Sequence, residues 1–248
     1  MSWLKKLFGK TDSSAAHRAQ APASDPSTPA PSTAATAAAP ATGAAEASAA
    51  VVRAGAPRIA VVTGSTRPGR NNRQVAEWLV ARATQRGDAS FELVDIADFS
   101  LPLLDEAYPA AYGNYAGEHT KAWAAKIAEF DGYVFVTPEY NHSTAPALAN
   151  ALSFLNAEWA NKAAGIVGYG SAMGARAVEH LRGVLSELQV AHVQKTGMFS
   201  LFSDFEDFSV FKPTDLQAAS VDPMLDQLVS WSAAFAQVRA GELEGAAV

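Results

Sequence analysis

Hydrophobic residues in the region 57–248 occur either in short unbroken runs or at helical spacing. The unbroken runs are rich in branched side chains, as in Arg58–Thr63 (RIAVVT) and Gly132–Thr137 (GYVFVT). Such runs are typical of strands that are buried on both faces of a parallel sheet. Apolar residues elsewhere recur every three or four positions, as at Leu181 and Leu185, which predicts helices with one buried face.

The two patterns alternate along the chain. The predicted strands are 58–63, 90–96, 132–137, 163–169 and 190–199. The predicted helices are 72–86, 118–130, 146–154, 175–188 and 221–239. Strands alternating with helices favour parallel pairing and right-handed crossovers. The sequence therefore predicts an α/β domain, 57–248, built on a doubly wound five-stranded parallel sheet.

The first 56 residues have a different composition. From residue 11 onward they are dominated by Ala, Pro, Ser and Thr and contain no aromatic side chain. Such a segment buries too little apolar surface to offset the entropy lost on ordering. We therefore predict a disordered Ala/Pro-rich tail, 1–56, ahead of the folded domain.

The tail begins with MSWLKKLFGK, for which two interpretations remain open. Its apolar residues recur at helical spacing opposite three lysines. One interpretation is an unstructured terminus, since ten residues easily mimic an amphipathic pattern. The other is a short helix at residues 2–8 that docks weakly on a partner protein or an anionic membrane surface.

Charge and cysteine content exclude several classes of function. The tail holds five basic and three acidic side chains, which gives it a net charge of +2. Because the whole chain has a net charge of −6, residues 57–248 carry a net charge of −8. An acidic domain is a poor candidate for nucleic-acid binding. The chain has no cysteine, which excludes disulfides and thiolate metal sites and fits a cytoplasmic protein. No stretch approaches the roughly 20 apolar residues of a transmembrane helix, and the pattern indicates no metal site.

The loop after the first predicted strand carries the most specific chemistry. It reads GSTRPGRNN from Gly64 to Asn72 and, together with Arg73, places three arginines close together with no carboxylate among them. It leads directly into a helix, whose N-terminal N–H groups favour a phosphate. The loop is neither a G-x-G-x-x-G fingerprint nor a Walker A motif. The alternatives are a mononucleotide phosphate site and a helix cap beside solvated arginines.

Two further loops are expected at the same edge of the sheet, because ligands bind outside the carboxyl ends of parallel strands. The third strand runs into TPEYNHSTAPALANAL, whose stiff Pro138–Asn141 turn and Tyr140 suit the edge of a flat heterocycle. His142 and Glu139 could equally be ordinary solvated loop residues. For Arg176 and Arg182, on the helix that follows the fourth strand, the preferred interpretation is an exposed helix residue. The alternative is a contact with a 2′-phosphate or a neighbouring subunit.

These motifs together resemble the NADPH-dependent FMN reductase family of flavodoxin-like proteins. That family shows Gly-Ser-x-Arg-x-x-Ser-x-Asn after its first strand and Pro-Glu-Tyr-Asn after its third. The segment EWANKAAGIVGYGSAMGARAVEHLR is also similar, so the resemblance covers about residues 57–200. It implies a flavodoxin-like fold.

The resemblance assigns cofactor-binding roles residue by residue. It implies that Ser65, Arg67 and Asn72 hold the phosphate of FMN, with Arg70 standing where the family has a serine. Pro138, Glu139, Tyr140 and Asn141 match the turn beside the flavin ring, and Gly170 and Ser171 match the third loop around it. The family's Leu-Lys-Asn is changed, because Ala149 stands where the lysine would be.

The implied activity is that of an FMN-dependent oxidoreductase with NADPH or NADH as co-substrate. A small acceptor such as free flavin or a quinone would take the two electrons, and no catalytic side chain is nominated. The resemblance also implies a homodimer or homotetramer. Two alternatives remain: an electron carrier served by a partner protein, and a tethered flavin-binding accessory protein.

Overall fold

The computed structural model describes residues 55–242, and the predicted tail and the docking segment 2–8 lie outside the described residues. Within that range the chain forms strands β1 (Arg58–Thr63), β2 (Ser90–Asp95), β3 (Gly132–Pro138), β4 (Lys162–Gly170), β5 (Val190–Ser200), β6 (Phe205–Glu206) and β7 (Val210–Phe211). The helices are α1 (Asn72–Thr84), α2 (Glu118–Ala128), α3 (Pro146–Ser153), α4 (Ala175–Glu187) and α5 (Asp215–Ala240). Short 3₁₀ turns occupy Ile96–Phe99 and Ala110–Tyr112 in the long connection between β2 and α2.

The main sheet has the strand order β2-β1-β3-β4-β5 with every pair parallel. This confirms the flavodoxin-like, doubly wound five-stranded prediction. The chain winds in opposite directions from β1 and β3, so the crevice between them is the topological switch point, where such sheets bind ligands.

Both faces of the sheet are covered, which is why its central strands are rich in apolar residues. Every residue of β3 and β4 is buried. Helices α1 and α5 cover one face through residues such as Leu79 and Leu225. The other face carries α2, α3 and α4, with Trp123, Leu148 and Leu181 among the buried side chains.

The end of the chain differs from the prediction. Helix α5 starts at Asp215, where Thr214 accepts a hydrogen bond from the Gln217 N–H, and not at Val221. The helix continues through Pro223. The β6–β7 hairpin was not predicted, because strands of two residues leave no periodic pattern.

Arg182 was wrongly expected to be an exposed helix residue. Its guanidinium donates to the carbonyl oxygens of Val193 and Gln194 at 3.0 and 3.1 Å and to Nδ1 of His192 at 2.7 Å. It therefore fixes α4 to the edge strand β5 beside a register shift in the β4–β5 pairing. Burial, together with the neighbouring guanidinium, lowers the pKa of His192, in line with a neutral ring that accepts at Nδ1.

Candidate active site

A cleft of about 190 Å³ lies at the carboxyl edge of the sheet, across the switch point. The loops after β1, β3 and β4 and the segment after β5 contribute to it. Its walls are formed by Arg67, Gly69, Arg70, Asn71, Pro138, Glu139, Tyr140, Tyr169, Gly170, Leu201 and Phe208. Several residues that are distant in sequence thus meet in one concave site.

The first loop is held close to β3 by Gly64 and Asn72. The Gly64 N–H donates to the Val136 carbonyl at 2.8 Å, and a Cβ at this position would lie 2.7 Å from that same oxygen. The Asn72 side chain is fully buried; it accepts from the Ser65 N–H at 3.3 Å and donates to Val136 O at 2.8 Å. Both ends of its amide contact backbone, so Asn72 shapes the loop from beneath.

The arginines of the loop differ sharply in their partners. Arg70 donates to the Ser65 carbonyl at 2.7 Å and to the buried carboxylate of Asp95 at 2.5 Å. Arg73 contacts Asp95 at 3.1 Å and Glu77 at 2.8 Å. The carboxylate that is missing from the loop sequence therefore comes from the end of β2.

Arg67 is the exception. Among the described residues it has no acidic partner within salt-bridge distance, and its guanidinium lies 5.9 Å from the centre of the Tyr140 ring. It is exposed at the wall of the cleft. One positive charge of the loop therefore faces the cleft without a protein carboxylate to neutralise it.

Neutral hydrogen-bonding groups surround this charge. The buried Ser65 hydroxyl accepts from the Arg67 N–H at 3.3 Å and lies 3.1 Å from the Tyr140 hydroxyl. Helix α1 begins here without a side-chain cap: the Asn71 Oδ1 accepts from the Gln74 side chain at 3.3 Å, and its Nδ2 donates to Phe208 O at 2.7 Å. An uncapped helix N-terminus beside an unpaired guanidinium suits a phosphate.

The loop after β3 turns tightly. Tyr140 and Ser143 exchange backbone hydrogen bonds of 3.0 and 3.1 Å, and the two residues between them, Asn141 and His142, adopt left-handed φ angles of 49° and 70°. This turn fixes the Tyr140 ring at the cleft. Asn141 itself is exposed and lies outside the cleft wall.

Glu139 is buried and ion-paired. Its carboxylate contacts the Arg176 guanidinium and accepts from the Arg176 N–H at 3.2 Å. Burial alone would raise the pKa of Glu139, but the hydrogen bonds from Arg176 outweigh it and lower the pKa below its usual range. The pair attaches the start of α4 to the β3 loop. Arg176 is partly exposed, as expected, but it therefore also has a structural role.

The loop after β4 closes the remaining side. Gly170 lines the cleft, whereas Ser171 is exposed outside its wall. Gly174 has a φ of 75°, and a Cβ there would lie 2.5 Å from the Tyr169 N atom. Burial raises the pKa of Tyr169, so its hydroxyl stays neutral beside the cleft.

Six of the ten predicted site residues thus line one cleft. Ser65 and Asn72 are buried behind the phosphate loop, and Asn141 and Ser171 are exposed outside the cleft wall. The sequence analysis missed Asp95, Tyr169 and Phe208. No local sequence signal assigns Asp95 to the site, because its contact with the loop after β1 depends on the register between β1 and β2. Within residues 55–242 no three His, Asp or Glu side chains group as metal ligands, and no helix has the length and apolarity to cross a membrane.

Known proteins of one family are similar to this chain. The family model described as NADPH-dependent FMN reductase matches residues 57–204. An NAD(P)H-dependent FMN reductase of Nectria is 39% identical over 126 residues, 48% of this chain and 63% of that protein; the match thus spans less than two thirds of that relative. A 2-hydroxy-1,4-benzoquinone reductase of Burkholderia is 36% identical over 151 residues, 58% of this chain and 78% of that protein.

Among solved structures, a flavoenzyme NAD(P)H:acceptor oxidoreductase from Paracoccus denitrificans has the same fold. It superposes with a TM-score of 0.55 at 21% identity, over 71% of this chain and 97% of that one.

Proposed function

The chain belongs to the NADPH-dependent FMN reductase family, and from that premise we propose that it passes two electrons from a reduced nicotinamide, by way of FMN, to a small acceptor such as a quinone or free flavin. Its class is that of the oxidoreductases, with FMN as cofactor and NAD(P)H as co-substrate. FMN supplies the hydride and electron chemistry when bound.

The observation that carries the proposal is the isolated positive charge of Arg67. Arg70 is paired with Asp95, and Arg73 with Asp95 and Glu77. Arg67 faces the cleft with no acidic partner among the described residues. A phosphate monoester would supply the missing negative charge and accept charge-assisted hydrogen bonds. The Ser65 hydroxyl and the uncapped N-terminus of α1 would add neutral donors.

The remaining predicted residues are proposed to hold the ring of the cofactor. Pro138, Tyr140 and Gly170 line the same cleft as the phosphate loop, and their positions are fixed by the tight turn at 140–143 and by the Glu139–Arg176 ion pair. Asn141 and Ser171 are proposed to contact the cofactor from the rim. In this proposal Asn72 acts by shaping the loop, and Arg70 chiefly by fixing the Ser65 carbonyl.

The experiment that tests the function is an absorbance spectrum followed by an anaerobic titration. We expect the purified protein to bind FMN in preference to FAD, and the visible flavin absorbance to bleach on addition of one equivalent of NADPH. Reoxidation by a quinone should restore the spectrum. A protein that binds no FMN in a fluorescence titration would contradict the proposal, and bound FMN that NADPH cannot bleach would favour the electron carrier.

Assembly and location are also proposals. We propose a homodimer or homotetramer, which light scattering after gel filtration would show as a mass of two or four chains. We propose a cytoplasmic location, which fractionation of the source cells would test.

A further inference from the structure

The segment after β5 places two phenylalanines at the mouth of the cleft. Phe202 and Phe208 are 71% and 61% exposed, although large apolar side chains are usually buried. Phe208 follows β6 and lines the cleft wall. It lies beyond residues 57–204, the part of the chain that the family model matches.

The backbone that carries Phe208 is strained. Asp207 and Phe208 both adopt left-handed φ angles, 48° and 57°. A bulky residue in that region is an outlier, and such strain persists only where the surrounding structure enforces it. An exposed ring on a strained backbone is not explained by stability, because both features are unfavourable for folding.

The surrounding structure does enforce this conformation. Asn71 donates to the Phe208 carbonyl at 2.7 Å, and Gln74 donates to Ser209 O at 2.5 Å and accepts from the Phe211 N–H at 2.8 Å. The base of the segment is held by the buried Asp204, which accepts from the N–H groups of Ser200 and Thr214 at 2.8 and 3.0 Å. The same helix start that is proposed to bind phosphate therefore also positions the Phe208 ring.

The two rings form an ordered pair. Their centres are 5.9 Å apart and their planes meet at 87°, the edge-to-face arrangement that aromatic pairs favour. Phe202 therefore supports Phe208 from one side. The result is a rigid, uncharged ring that faces the same cleft as Tyr140 and Tyr169.

We propose that Phe208, supported by Phe202, is a specificity-determining residue that contacts the planar ring of a quinone acceptor. The inference rests on the proposed function and deepens it by naming the acceptor class. Overall, one NAD(P)H and one proton reduce one quinone to the hydroquinone, and the oxidised nicotinamide leaves.

Charge favours a quinone over the phosphate-bearing nicotinamide as the occupant of this wall. Glu206 and Asp207 are exposed on the hairpin beside Phe208, and Glu206 is paired with Lys212 at 3.7 Å. These three side chains keep a net charge of −1, which repels the pyrophosphate of a dinucleotide. A quinone is flat and uncharged, and it gains by covering the exposed ring.

The test is Phe208→Asn, with Phe208→Tyr and Val210→Ala as matched variants. Asn accepts the left-handed backbone but removes the ring. We expect kcat/KM for 1,4-naphthoquinone, divided by that for ferricyanide, to fall about tenfold, mainly through KM, because a stacked ring contributes about that factor. Phe208→Tyr keeps the ring and should stay within twofold. Val210→Ala, on the same hairpin but outside the cleft, should also stay within twofold.

Three further readouts decide the interpretation. Thermal stability of Phe208→Asn should equal or exceed that of the wild type, since the strain is relieved. A larger effect on FMN affinity than on the acceptor ratio would overturn the inference, because the ring would then serve the cofactor. A change in oligomer mass would overturn it as well, because the ring would then serve an interface.

Wild-type protein that oxidises no NADPH, even with ferricyanide, would instead refute the proposed function and this inference with it.

Discussion

The guanidinium of Arg70 donates a hydrogen bond of 2.5 Å to the fully buried carboxylate of Asp95. The same carboxylate accepts from the Thr63 hydroxyl at 2.7 Å and the Ala97 N–H at 3.1 Å. Asp95 therefore joins the loop after β1 to the end of β2. Because it neutralises Arg70, it also leaves Arg67 as the loop charge that faces the cleft.

We expect Asp95→Asn to lower the free energy of unfolding by about 2–4 kcal/mol. The substitution leaves two guanidiniums beside a neutral amide and removes charge-assisted bonds from a buried position. Urea unfolding at neutral pH measures the change. Asp98→Asn is a matched control, because Asp98 is exposed three residues further on, and it should stay within about 0.5 kcal/mol of the wild type. Equal effects of the two substitutions would show that the Asp95 ion pairs contribute nothing.

Arg67→Ala should impair FMN binding and leave the stability of the fold unchanged, in contrast to Asp95→Asn. It should weaken FMN binding by about 1.5–3 kcal/mol, the value of a charge-assisted contact. The stability of the FMN-free protein should hardly change, since the Arg67 guanidinium lies near the Tyr140 ring and has no carboxylate partner within residues 55–242. Fluorescence titration of FMN and thermal unfolding measure the two quantities.

Arg73→Ala is the control for Arg67→Ala, because it removes the same charge from a residue already paired with Glu77 and Asp95. It should change FMN affinity by less than about 0.5 kcal/mol. If both variants bind FMN as the wild type does, the loop is a solvated helix cap, as one of the two interpretations of the sequence holds.

The order of the elements could be predicted from sequence because strands such as β3 are mostly apolar and buried at every position, and the helices between them have one apolar face. The location of the cleft followed from that order. The Asp95 contact could not be predicted, because it depends on the register that places Thr63 beside Asp95. Neither residue carries a local signal for the pairing.

Phe208 could not be predicted for a similar reason. Its hairpin has strands of two residues, and the turn uses Asp207 and Phe208 in left-handed conformations where sequence rules expect Gly or Asn. Hydrogen bonds from Asn71 and Gln74, more than 130 residues earlier in the chain, hold it. Tertiary contacts thus override the local preference.

A chain that begins at Ala56 should bind FMN and oxidise NADPH at the full-length rate. The reason is compositional, since residues 11–56 contain no aromatic side chain with which to pack on the domain. Steady-state kinetics and FMN titration compare the two chains. If residues 2–8 dock on a partner, only the full-length protein should retain it in a pull-down. A severalfold fall in turnover of the shortened chain would show that the tail takes part in the reaction.

Lys162 should make the free energy of unfolding rise with pH between about pH 8 and pH 10.4. Its Nζ is buried at the start of β4, where it donates to Tyr133 Oη at 2.9 Å and Ile127 O at 3.2 Å. Burial, and secondly the charge of Arg239, lowers the pKa of Lys162 to about 8 despite the opposing charges of Asp131 and Glu158. The site therefore favours the neutral amine.

The direction follows from proton linkage. The unfolded lysine keeps its proton up to about pH 10.4, whereas the folded one loses it near pH 8. Between these values the unfolded state binds more protons, so the free energy of unfolding rises with pH, by about 3 kcal/mol in total. Lys162→Met should abolish this rise. The difference in free energy of unfolding between the wild type and the variant should therefore change by about 3 kcal/mol between pH 7 and pH 10.5.

Lys126→Met provides the control for this measurement. A hydrogen bond from Lys126 to Glu92 raises its pKa, so its proton stays bound in both states across the window and its stability difference from wild type should be flat from pH 8 to pH 10. Urea unfolding of the three proteins at half-unit pH steps gives both curves. A Lys162→Met difference that is equally flat would mean that the buried ammonium keeps its proton throughout, and that its bonds to Tyr133 and Ile127 compensate for its burial.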